Sequence, residues 1–134
     1  MLKKVITYTD YDGEERTEAF YFNLSKAELL DMELYSQGKY TERLQEIIDA
    51  KDHKAIVNTF KDLIYKSYGV KSDDGRRFVK SEEATKAFTE TEAFSELYLE
   101  LATNADAAAA FAIGILPKDL QESASVTDVV RANS

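Results

Sequence analysis

The chain has 134 residues, 44% of them hydrophobic and 11% aromatic, and carries a formal net charge of −8. That length and apolar content support one folded domain and exclude a disordered coil, while the negative charge disfavours broad attraction to nucleic acid or anionic membrane. With no cysteine, disulfides, thiolate metal sites and a thiol nucleophile are excluded as well.

The first element expected is a hairpin over 3–22. Lys3 to Thr9 is rich in β-branched and aromatic residues, with Ile6 and Tyr8 on one face and Val5 and Thr7 on the other. Asp10-Tyr-Asp-Gly13 supplies turn chemistry. On the return strand Phe20 and Phe22 share one face, Ala19 and Tyr21 the other. A lone hairpin is marginal in water, so its apolar side must lie on helices or on another copy, and its edges can pair with a partner strand.

Helix signals follow. Ser25-Lys-Ala-Glu28 matches a capping box, and Ala27, Leu30 and Leu34 recur at helical spacing until Ser36-Gln-Gly38 breaks the run. Thr41 to Ala50 predicts a second helix burying Leu44, Ile47 and Ile48. Asp52 caps a third with Ile56, Phe60, Leu63 and Ile64 as its stripe, and Gly69 fits a left-handed cap at its end. Ser81 opens a helix through Phe88. Thr89-Glu-Thr-Glu92 reads as another capping box, before a helix with Phe94, Leu97, Tyr98 and Leu101 on its buried side. A break or re-cap at Thr103–Asp106 precedes the small-residue helix Ala107–Ile113, and Pro117 closes the pattern. The expectation is a mainly α fold: a β-hairpin packed on five or six short helices in one domain over 1–117. A flexible C-terminal tail, 118–134, follows.

Catalytic material is scarce. An EF-hand loop centred on Gly75 would need acids at Val70 and Ser81, and one centred on Gly13 would need them at Tyr8 and Ala19. No Walker spacing and no Gly-x-Ser-x-Gly motif occurs. His53, the one histidine, reads as a solvated first-turn residue rather than a general base. The loop Tyr68–Ser81 carries a net +2 and reads as a turn whose Arg76 and Arg77 could meet an acidic partner. Glutamates at 82, 83, 90, 92, 96 and 100 against Lys86 leave that segment at −5, a solvated face able to repel its own copies or attract a basic ligand. No metal, cofactor or catalytic residue is expected. Eight tyrosines and no tryptophan suit contact surfaces instead.

Five collinear stretches, FYFNLSKAELLDMEL (20–34), LQEIIDAKD (44–52), YGVKSDDGRRFVKS (68–81), TEAFSELYLELATNADAAAAF (91–111) and GILP (114–117), resemble a tail assembly chaperone family of long-tailed bacteriophages, chiefly those of Gram-positive hosts. None is a catalytic signature; the likeness lies in their order. The resemblance implies a non-enzymatic protein of the host-cell cytoplasm. It would bind the phage tape-measure protein, keep it soluble and help recruit tail-tube subunits. With the negative charge, neither nucleic acid nor membrane is expected as a partner. Self-association through the hairpin edge is a further expectation. The alternatives are a minor tail or head-tail connector protein retained in the virion, or a small regulator of a host protein. The residues expected to touch partners are Arg76, Arg77, Phe94, Tyr98 and Leu101.

Overall fold

The computed structural model describes residues 1–32 and 39–123. Strands β1 (Leu2–Thr9) and β2 (Glu15–Phe22) form the expected hairpin, with Val5 opposite Ala19 and Thr7 opposite Thr17. Its turn is held by Asp10, whose carboxylate accepts the Asp12 and Glu14 amides at 2.9 Å each and the Arg16 guanidinium at 2.6 Å. Arg16 and those amides hold this carboxyl below the usual carboxylate range. Ile6 and Tyr8 are buried while Val5 and Thr7 face out.

The sheet does not stop at two strands. Strand β3 (Tyr68–Lys71) pairs with β2, and β4 (Phe78–Val79) pairs with β3, giving an antiparallel sheet ordered β1-β2-β3-β4. The fold is therefore α plus β, and the expectation of an α fold carrying only a hairpin is corrected. Tyr68, Val70, Phe78 and Val79 are strand formers, and β2 offers them an inner edge of backbone groups that need partners. Gly69 is corrected for the same reason. Instead of capping a helix in a left-handed turn it sits in β3 opposite Tyr21, beneath the ring of Phe78.

Helices α1 (Lys26–Asp31), α2 (Lys39–Asp49), α3 (His53–Ser67), α4 (Glu82–Thr89), α5 (Glu92–Thr103), α6 (Ala105–Gly114) and α7 (Lys118–Ser123) follow in chain order. Ser25 and Glu28 form the reciprocal capping box, and Asp52, Ser81 and Asn104 each accept an amide of the first turn they cap. Two local expectations shift. Thr91, not Thr89, caps α5, because α4 runs on through Thr89 to keep Phe88 inside. Leu29 is the buried residue of α1, whereas Ala27 and Leu30 are exposed, since the chain enters α1 from the buried Leu24. Leu34 and the break at 36–38 lie outside the described residues. Six residues of the expected tail form α7. Pro117 opens that helix, its carbonyl accepting the Leu120 and Gln121 amides, while residues 124–134 lie outside the described part.

One face of the sheet meets α4 and α5 around Phe88, which is 3% exposed and stacks on Tyr68 at 4.3 Å between ring centroids. Phe22, Leu24, Leu29, Ile64, Ile115 and Leu116 are the largest fully buried apolar side chains among the described residues, each contributing about 1.5–3 kcal/mol by leaving water. The link between β2 and α1 is tied at both sides, Asn23 N donating to the Ser67 carbonyl at 2.8 Å and Leu24 N to the Ile115 carbonyl at 2.7 Å. Lys80 completes the joint, its ammonium donating to the Asn23 carbonyl and to both oxygens of Glu28. Burial pulls the Lys80 ammonium down from its ordinary value, with Glu28 opposing. Desolvation so offsets much of the attraction, and the pair directs the approach of α1 to β4 more than it stabilises it.

Candidate functional site

A concavity of about 510 Å³ opens where α2, α3, the end of α5 and the start of α6 meet. Leu44 and Ile48 of α2 form one wall and Ile56 and Phe60 of α3 another, with Leu101 of α5 behind them. Ala108, Ala109 and Ala112 of α6 line it too. The alanine run explains the space: these side chains end at Cβ, so the volume that leucines would fill stays open. Ile48 and Ile56, read from periodicity as core positions, are only half-buried. The rim is polar, with Lys51, His53, Thr103 and Asp106. Lys51 takes a φ of 55°, a conformation that costs a β-carbon residue about 1–2 kcal/mol. The strained turn between α2 and α3 thus lies at the mouth of the groove.

The five residues expected to touch partners fall on two elements. Arg76 and Arg77 are exposed on the turn between β3 and β4. That turn is self-contained: Asp74 accepts the Ser72 hydroxyl at 2.8 Å and the Arg76 amide at 3.0 Å, Ser72 Oγ accepts the Arg77 amide at 3.0 Å, and Gly75 takes a φ of 73°. The Arg76 amide leads in holding the Asp74 carboxyl below its ordinary range, so this acid stays ionised as a turn brace. The other three lie on α5. Phe94 and Tyr98 are half-buried, their rings 5.6 Å apart, and Tyr65 meets Phe94 at 5.9 Å. Leu101 is buried and lines the groove.

His53 is exposed at the start of α3, at the groove's rim. Among the described residues no three His, Asp or Glu side chains converge as metal ligands. No helix among them is long and apolar enough to cross a membrane. The groove itself offers hydrophobic contact and few polar groups. What the sequence alone missed is that Leu44, Ile48, Ile56 and Leu101 line a single opening; the signal available was the alanine run, which read equally as a close helix contact.

No curated protein and no solved structure matches the chain. A family model described as phage tail assembly chaperone matches residues 1–133. With an apolar groove, a self-satisfied basic turn and a match over almost the whole length, the chain belongs to the phage tail assembly chaperone family.

Proposed function

We propose that this protein holds the phage tape-measure protein soluble during tail assembly, and that the groove between α2, α3, α5 and α6 is where it grips. The observation that carries the reading is an unfilled apolar groove of about 510 Å³, floored by alanines, in a chain of this family. A long helical client exposes stripes of apolar side chains every three or four residues, and such a groove accepts them one turn at a time. Contacts of this kind are non-directional and release readily, which suits a chaperone that leaves before the structure is finished. Recruitment of tail-tube subunits belongs to the same reading, with Arg76 and Arg77 and the Phe94–Tyr98 edge of α5 as contact points outside the groove. The protein acts by contact, in the host cytoplasm, and transforms no substrate.

Co-expression with the tape-measure protein tests this. The client is expected to be soluble with the wild-type chain and to precipitate with an Ile48→Asp/Ile56→Asp variant, which charges the groove walls at two half-buried positions. Equal client solubility with and without the wild-type chain would overturn the reading. Recovery of the protein from purified virions by mass spectrometry would favour a retained tail component instead.

A further inference from the structure

Helix α2 stands between two unfilled spaces. On one side is the alanine-floored groove. On the other is a recess of about 260 Å³, bordered by Tyr40, Arg43 and Ile47 of α2 and by Thr59, Asp62 and Leu63 of α3. Leu44 lines both. Ile47 borders the recess and Ile48 the groove, and each is only half-buried. Well-packed interiors leave few voids larger than a water molecule. A helix whose apolar ridge meets a void on each flank relies for its seat on Tyr40 and Leu44, its two buried residues.

Tyr40 is a poor anchor. Its hydroxyl is buried without a hydrogen-bond partner among the described residues, so the seated position strips water from a polar group and returns no bond. The charges along the seam add no latch: among the described residues none of Arg43, Asp62 and Lys66 joins an ion pair. At their shared end the two helices terminate independently. α2 closes with the Ala50 amide on the Glu46 carbonyl and the Lys51 amide on the Ile48 carbonyl, while α3 opens on the side chain of Asp52. Lys51, left-handed at a φ of 55°, links them, and a single residue at the end of an element can absorb a large backbone change.

We propose that α2 is a hinged jaw, which lifts from α3 about Lys51 as an intact helix and joins the recess and the groove into one apolar trough along α3. α2 has 11 residues and is about 16 Å long, so a lift of roughly 20° carries its Tyr40 end about 5 Å. That admits water to the Tyr40 hydroxyl and uncovers Leu44, Ile47 and Leu63. A trough of this length spans about three turns of a bound helix, where the groove alone is confined to the Lys51 end of α2. Its use by a client rests on the tape-measure reading above; the lift itself does not, and is tested with no client present.

The chain has no cysteine, so Glu42→Cys with Ala110→Cys, both at exposed positions, places one spin-label pair between the start of α2 and α6. Pulsed electron–electron double resonance on the full chain should show two distances about 5 Å apart, one for the seated helix and one for the lifted. Hydrogen exchange should show the α2 amides protected, because the helix moves as a unit. Adding Tyr40→Phe removes the desolvated hydroxyl, favours the seated position and should cut the lifted population about fivefold. A single narrow distance, loss of protection throughout α2 (unravelling instead of lifting) or a second population indifferent to Tyr40→Phe overturns the proposal. A single distance in a chain that still keeps its client soluble would remove the jaw and leave the groove reading standing.

Discussion

Phe88→Ala tests the fold at the point where sheet and helices join. The ring is 3% exposed. It stacks on Tyr68 at 4.3 Å and meets Phe20 at 5.1 Å, Phe22 at 5.8 Å and Phe94 at 5.8 Å. Truncating a buried phenylalanine costs about 3–5 kcal/mol, and each aromatic pair adds roughly 0.5–1.5 kcal/mol beyond its area. With four ring partners lost at once, the expected cost is about 5 kcal/mol, a large share of the roughly 5–15 kcal/mol that holds a domain together. Phe88→Leu keeps most of the volume and loses mainly the ring pairing, so a cost of about 2 kcal/mol, the low end for four pairs, is expected. Urea unfolding followed by circular dichroism measures both. With a slope of about 1.5 kcal/mol per molar, the midpoint should fall by roughly 3 M for alanine and 1 M for leucine. An alanine variant within about 1 kcal/mol of the parent would refute the view that this ring joins the two layers.

Tyr40 is 6% exposed and its hydroxyl has no hydrogen-bond partner among the described residues, so Tyr40→Phe should be neutral or stabilising by up to about 1 kcal/mol in thermal unfolding; a clear loss would reveal a partner. Burial also raises the Tyr40 phenol above its ordinary value. Stability is therefore lost as pH rises past about 10, where the unfolded chain ionises first, and the phenylalanine variant should flatten that alkaline limb. Burial works to raise the Glu28 carboxyl, but Lys80 and the Ser25 amide outweigh it and leave it depressed. Its contribution is thus present above the unfolded value near about 4.3 and lost as pH falls through the lower folded one; Glu28→Gln should make unfolding between about pH 5 and 3 less steep. Asp52→Ala removes the acceptor of the Ala55 amide and should cost about 1 kcal/mol by the same assay, against a few tenths for Asp52→Gly.

Sequence reasoning succeeded where the deciding interaction is short-range. The hairpin turn at Asp10–Gly13 and the caps at Ser25, Asp52 and Ser81 each satisfy backbone donors within a few residues, so their chemistry is visible as a local pattern. The basic loop was legible as a turn for the same reason. Its flanks were not: Tyr68 and Gly69 become strand only because β2, far away in the chain, offers an unpaired edge. Thr89 and Thr91 are equally good caps by residue type, and the choice fell to Thr91 because Phe88 had to stay inside the core. The collinear motifs pointed to the family without locating any contact surface. Where the groove lies was a tertiary decision, since an alanine-rich helix can draw a neighbour close or leave a gap, and the side chains of α2 and α3 determine which. Charge is written residue by residue, but the side of the molecule it occupies depends on how the layers stack.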